Sequence, residues 1–413
     1  MYPLTAQYFD AKTKTLHRKL RDFIEDHEED AESIANNIKS VLERNGLNVK
    51  DITSYCADNA PVNFGRHNSV FTKLHAHNQN IARSRCYAHI IHNTAKKFCD
   101  VPPIDVENIV TKVYGRFSIS GLRRNALMEF VEFVNEDYTE LLHHVPTRWS
   151  SFAPAIKRLL DNWPALISYF CSIDDCPARI QTILRLKRDG TEEDKVEEVE
   201  IWLRFILSSM NVFERSVRVI EGEYVSATEV YDIMYALQNN ICTRIEDKYY
   251  GIEHTAAMAP LMKQSPQKSV DYLQKWFDFS SDNYVAKLRP LSLSPDFPTF
   301  EQLKAAADCL SLSDNDDRLF NDYCAIKQTF EMPDTENVFE KWGQVLRKCS
   351  SETLVLSHLM SVILSIPASN ASCEGVFSLM AGKWTNVRSR VELELIRAEL
   401  IVNVNYTSSC LEF

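Results

Sequence analysis

Val49-Lys-Asp-Ile-Thr-Ser-Tyr-Cys-Ala-Asp58-Asn59 is a short run, rich in β-branched and aromatic side chains, that ends in an aspartate and an asparagine. Val49 to Cys56 reads as a strand whose carboxyl end delivers Asp58. The forty-one residues that follow, Asn59 to Cys99, contain no Asp or Glu. With 57 acids in 413 residues, such a window would ordinarily hold about six. Instead it holds Arg66, Lys73, Arg83, Arg85, Lys96 and Lys97, with five of the eleven histidines. A lone carboxylate beside a cationic track suits phosphodiester chemistry, because the track holds phosphates and the acid holds a divalent ion.

Composition sets the outer limits. At 45% hydrophobic and 25% charged, the chain buries roughly two or three cores and does not read as disordered. A net charge of −11 excludes a protein that coats nucleic acid over its whole surface, so any such binding comes from local patches. No apolar run approaches the length of about eighteen residues that a membrane span needs, and Met1-Tyr-Pro-Leu-Thr-Ala-Gln lacks the blocks of a signal peptide. These features point to a nuclear or cytoplasmic protein without a membrane partner or a small-molecule substrate. The cysteines are scattered singly, with no Cys-x-x-Cys pair, which suits reduced thiols better than a disulfide frame or a Cys₄ zinc site.

Periodicity along the chain is mostly helical. Residues 11 to 46 read as helix-rich, with His17, Leu20, Phe23 and Ile24 on one face and Ile34, Ile38, Val41 and Leu42 repeating the spacing up to Asn45-Gly46. Ser69 to Phe98 and Val106 to Phe117 read as helical too. The middle, from about 120 to 345, looks all-α, with linkers expected at Cys176-Pro177, Glu192 to Glu200 and Leu288 to Pro298. Farther on, Leu356, Leu359, Met360 and Ile363 form a helical face that stops at Ser365-Ile-Pro367. Ser369 or Ser372 then caps a helix carrying Glu374, Val376, Phe377 and Met380. After Arg388-Ser-Arg390, the residues Val391, Leu395, Ala398 and Val402 stand at helical spacing, and Leu393, Ile396 and Leu400 broaden the stripe. A helix apolar over more than one face is either buried wholly inside the chain or half of a dimer contact.

Several residues have two readings. Cys86, His89 and His92, at i, i+3 and i+6, share a helix face and form a zinc half-site in spacing. A matching pair is missing, since Cys99 is single and His143-His144 lie far along the chain, so no metal is assigned. Asp58-Asn59-Ala60 is also what an ordinary strand-to-helix turn looks like, and Glu374 is also a first-turn carboxylate favoured by the helix dipole. Trp149 reads as a core tryptophan or as a stacking platform for an unpaired base.

Together these residues resemble the hAT superfamily of DNA transposases. Ser365-Ile-Pro-Ala-Ser-Asn-Ala-Ser-Cys-Glu374-Gly-Val-Phe-Ser378, followed by Trp384, Arg388, Arg390 and the closing helix, is similar to that family's C-terminal dimerisation segment. Ala57-Asp58-Asn59-Ala60 resembles its second catalytic-aspartate motif, Cys86-Tyr-Ala-His89 its Cys-x-x-His motif, and Thr147-Arg148-Trp149 the Arg-Trp motif of its helical insertion. The four occur in the family's order, and they also resemble animal transposase-derived proteins that often carry a BED zinc finger. No such finger is found in this sequence.

The resemblance implies an α/β fold, mostly helical overall: an RNase H-like core in residues 1–120 and 346–413, interrupted by an all-α insertion in 121–345. It implies three carboxylates holding two divalent ions, Mg²⁺ or Mn²⁺, of which Asp58 matches the second acid and Glu374 the third. The first belongs on a strand ahead of the one that starts around Leu4-Thr-Ala-Gln-Tyr-Phe9, so the core reads as incomplete and the chain as N-terminally truncated. Asp10, Asp22, Asp26 and Asp30 are poor substitutes by position. Gly375 stands where an Arg commonly follows the glutamate, which further weakens retained catalysis. The resemblance also implies DNA contacts by His89, Arg148 and Trp149, extended by Arg66, Lys73, Arg83 and Arg85, and self-association through Phe377, Val391, Leu395, Ala398, Leu400 and Val402. The expectation is a catalytically inactive, transposase-derived protein that needs no cofactor, forms a homodimer or higher oligomer, and binds DNA weakly and without sequence preference. The competing readings are a fragment of an active cut-and-paste transposase and a protein-protein adaptor on the same scaffold.

Overall fold

The computed structural model describes residues 1–10, 12–145, 151–184, 196–252, 257–312, 315–348, 354–384 and 391–406. Strands β1 (Tyr2–Asp10) and β2 (Thr15–Ile24) are followed by α1 (Ala31–Arg44), β3 (Ser54–Ala57), α2 (Pro61–Phe64), α3 (Val70–His75), β4 (Ala82–Arg85) and α4 (Tyr87–Cys99). Next come α5 (Val106–Ser118), α6 (Gly121–Phe133), α7 (Phe152–Asp161), α8 (Trp163–Ser172), α9 (Ala178–Leu184), α10 (Val196–Ile220), α11 (Val230–Glu246) and α12 (Ala259–Trp276). The remainder holds α13 (Tyr284–Leu288), α14 (Phe300–Cys309), α15 (Asp316–Thr329), α16 (Val338–Arg347), α17 (Leu354–Leu364), α18 (Ala371–Lys383) and α19 (Leu393–Asn405). The chain is a mostly helical α/β protein with two small sheets.

Two compact units result. The first combines Met1–His89, Val219–Ile233 and Asp278–Phe413, and the second combines Ile90–Arg218 and Met234–Phe277. Residues 278–345, which the sequence reading gave to the insertion, thus fall in the first unit. Among its described residues the second unit has helices and no strand.

In the first unit β1 and β2 pair antiparallel, in register from Tyr2 opposite Ile24 to Asp10 opposite Thr15, with a shift between Leu4 and Thr5. This corrects the helical reading of 11 to 46 over residues 15–24. Leu20, Phe23 and Ile24 fit a helical period, but nine backbone partners on β1 decide the matter, and tertiary pairing outweighs local spacing. Asp10 closes the hairpin, accepting the Lys12 N–H at 2.8 Å and the Thr13 hydroxyl at 2.9 Å. β3 and β4 form a separate parallel pair, Ser54 opposite Ala82 through Ala57 opposite Arg85, joined by the α2–α3 crossover. β4 is a second correction, because Ser69 to Phe98 was read as helix throughout. β3 is also shorter than expected, since Val49–Asp51 forms one 3₁₀ turn capped by Asn48.

Three apolar clusters hold this unit. Phe9 and α13–α17 surround Trp342, whose indole donates to the Leu291 carbonyl at 2.6 Å. The Leu288 to Pro298 stretch is therefore core rather than linker: Leu288, Leu291 and Leu293 are buried. A second cluster packs α1 and α3 around Phe64, Phe71 and Ile81. In the third, Leu20 and Phe23 of β2 meet Val376, Ile396 and Leu400. Each such side chain contributes about 1.5–3 kcal/mol by leaving water. α17 begins against Asp322, whose carboxylate accepts the Val355 and Leu356 N–H groups at 3.0 Å, the arrangement a helix amino terminus favours.

Candidate functional site

Asp58 turns the chain at the end of β3. Its Oδ1 accepts the Ala60 N–H at 3.0 Å and the Asn63 side-chain amide at 2.7 Å, while Tyr55 donates to Asn63 Oδ1 at 2.8 Å. Asn59 donates in the other direction, to the Cys86 carbonyl at 3.1 Å. Cys86, just past β4, is buried. Its thiol donates to Asn370 Oδ1 at 2.8 Å, and His89 Nδ1 lies 3.2 Å from the same sulfur. Asn370 is the N-cap of α18, whose first turn carries Glu374. β1 reaches the same helix start, with the Thr5 hydroxyl 3.3 Å from both Ser372 Oγ and Cys373 Sγ. Three of the four quoted motifs are thereby tied together in the first unit. The fourth, Thr147-Arg148-Trp149, lies outside the described residues. Sequence reasoning missed Asn370 as the residue that locks Cys86, and its only signal was its place four residues ahead of Glu374.

Burial pushes the Cys86 thiol up to about 12 and raises Cys56 and Cys373 as well. Thiols held protonated are poor nucleophiles and poor ligands. Among the described residues no three His, Cys, Asp or Glu side chains converge in a way that could hold a metal ion. The described side chains by themselves do not assemble the two-ion site that the resemblance implies. Each N-terminal aspartate is also engaged elsewhere. Asp10 closes the hairpin, Asp22 joins Arg44 at 2.6 Å and Arg397 at 2.5 Å, and Asp30 caps α1 through the Ser33 N–H at 2.8 Å. Asp26 accepts from Tyr2 at 3.2 Å, Asn37 at 3.2 Å and the Ser33 hydroxyl at 3.0 Å. Burial alone would raise Asp26, but hydrogen bonds from the Glu28 and Glu29 N–H groups and from Ser33 and Tyr2 outweigh it and hold the carboxyl below its ordinary value.

The cationic window is less open than its sequence suggests. Lys73 is paired with Glu32 of α1, and the Arg83 guanidinium lies 4.4 Å from the Phe71 ring centroid and 5.9 Å from that of Phe64. Lys97 pairs with Asp100 at 2.7 Å. Arg66 is exposed, and Arg85 and His89 are half-buried. His92 is buried.

At the far end, α19 presents two faces. Ile396 and Leu400 are buried against β2, and Phe377 and Val391 pack on the same intrachain cluster, with the Phe23 and Phe377 rings edge-on at 6.3 Å. Leu400, Phe377 and Val391, which the sequence reading gave to self-association, thus have apolar partners within the chain, Leu400 buried and the other two partly so. Leu395, Ala398, Val402 and the capping Tyr406 are exposed on the other face. Asn405 fixes the helix to the outer edge of β2, its side chain accepting the Leu20 N–H at 2.7 Å and donating to the Leu20 carbonyl at 2.8 Å.

Residues 321–406, from α15 through α19, match the model of the hAT family C-terminal dimerisation region. The match supports an hAT-family transposase-derived protein, related to transposases and capable of dimerisation. None of the curated proteins compared with the chain matches it. Among the described residues, no helix is long and apolar enough to cross a membrane.

Proposed function

We propose that this chain is a transposase-derived protein that dimerises through the outer face of α19 and does not cleave DNA. Its two strand pairs are read as parts of an RNase H-like core, interrupted by an all-α insertion. The observation that carries this reading is the exposed stripe Leu395, Ala398, Val402 and Tyr406 within the matched region. Apolar groups at i, i+3, i+7 and i+11 form one helix face, which a two-fold axis can pair with its copy. Support for lost cleavage comes from the carboxylates: Asp58 is committed to its turn, and the N-terminal aspartates serve β1, β2 and α1. Among the described residues no three such side chains converge as a two-ion site requires. DNA contact falls to Arg66, Arg85 and His89, with Arg148 and Trp149. It is weak, falls with salt and ignores sequence.

Sedimentation of the full chain tests the first part. The unmutated protein should run as a dimer or larger species, and Leu395→Asp combined with Val402→Asp should reduce it to monomer with its melting temperature kept. An unmutated chain that stays monomeric at tens of micromolar sinks the dimer. For the second part, incubation with a hairpin-forming duplex and Mg²⁺ or Mn²⁺ should yield no nicks, and metal-dependent nicks would end the silent reading.

A further inference from the structure

In the second unit, α6 is apolar on two faces. Leu127 and Val131 are buried where it packs against α8. On another face Leu122 is 83% and Phe133 82% exposed, and Ile119, just before the helix, is 79% exposed. No other large apolar side chain among the described residues exceeds 58%. Leu122 and Phe133 are three helical turns apart on one face, with Ala126 and Glu129 between them. Side chains of this size leave about 500 Å² of apolar surface open to water, an extent that on a monomer commonly marks an interaction site. Glu129 lies within the stripe and Glu132 on the same helix, while Glu136, Asp137 and Glu140 follow in the segment after it, and all five are exposed. Residues 125 to 145 contain no Lys or Arg.

We propose that this face docks a cationic amphipathic helix of another protein, whose apolar stripe covers Leu122 and Phe133 while its Lys and Arg flanks meet the carboxylates. A second copy of this chain is the poorer occupant. Glu129 sits inside the stripe, and two such faces laid together would bring like charges into the middle of a dehydrated contact. The proposal does not rest on the dimer reading, because α6 lies outside the matched region 321–406.

The test titrates the full chain into a fluorescein-labelled helical peptide of leucine and lysine, with leucines at i, i+3, i+4 and i+7, and follows anisotropy. A peptide of the same composition with its leucines spread around the helix runs beside it. The patterned peptide should bind about tenfold tighter than the spread one, and Leu122→Ser combined with Phe133→Ser should erase that advantage. Glu129→Gln with Glu132→Gln should weaken binding severalfold and flatten its salt dependence. All four positions are exposed, so both variants should keep the far-ultraviolet circular dichroism of the parent. Equal affinity for the two peptides would overturn the proposal, since the acidic surface alone then explains binding. So would either variant binding like the parent, or a fall in sedimenting mass for the serine variant, which would show the face taken by a second copy.

Discussion

In the first unit a buried carboxylate, Asp22, lies between two guanidinium groups, Arg44 of α1 and Arg397 of α19, and so joins β2 to helices from opposite ends of the chain. In the second unit the corresponding buried group is an imidazole. His144 is fully enclosed, with Nδ1 2.9 Å from the Ser151 hydroxyl and Nε2 3.7 Å from Glu107. Burial, with His143 nearby, lowers His144 to about 4. Its approach to Glu107 is therefore not an ion pair at neutral pH. The first unit must bring remote segments together and does so with matched charge. The second stacks α5 on α6 and α7 and α6 on α8, and its own charged link, the buried Arg116 guanidinium with Asp175 at 2.8 Å, leaves the carboxylate exposed.

The largest effect expected is at the apolar cluster beside that clamp. Leu400→Asp places a carboxylate among Leu20, Phe23 and Ile396, should cost on the order of 5 kcal/mol, and should abolish the cooperative urea transition of the first unit. A variant that melts like the parent would show that α19 does not depend on β2. Asp22→Ala comes next. It removes a buried carboxylate from Arg397, a quarter exposed, and from Arg44, more than half exposed and still open to water, and should cost about 2–3 kcal/mol, read as a lowered urea midpoint, whereas a loss below about 1 kcal/mol would mean the clamp is decorative.

Acid separates the units with a smaller effect. Because the folded-state value of His144 lies below its ordinary 6.5, the unfolded chain takes up the proton first, and stability falls as pH drops from about 6.5 towards 4. The loss should be roughly 2 kcal/mol between pH 7 and 5. Asp26 acts in the same direction but in a lower window: its contribution is in place above the ordinary carboxylate range and is lost as pH falls through its lowered folded-state value. Hydrogen exchange at pH 7 and pH 5 should accordingly show faster opening in the second unit while the first is unchanged. His144→Gln should remove the difference, and a variant that keeps it points to another titrating group.

What could be read from sequence follows from how locally each feature is encoded. The inner face of α19 and the turn at Asp58 were visible because apolar spacing and Asp-Asn chemistry are properties of a few neighbouring residues. β2 was misread because Leu20, Phe23 and Ile24 satisfy two periods at once and only the pairing with β1 chooses between them. β4 gave no signal at all: Ala82-Arg-Ser-Arg85 does not alternate, and its buried Ser84 is satisfied by the Pro367 carbonyl at 2.6 Å. The acid-free window was a fact about sequence and not about space, since Glu32 lies outside it and folds onto Lys73.

The amide of Asn405 completes on the rim of β2 the rung that a neighbouring strand would otherwise supply. A single side chain thereby plugs a position at which another molecule could begin to add edge to edge, so the same helix proposed above to carry orderly association also closes a route to fibrous growth.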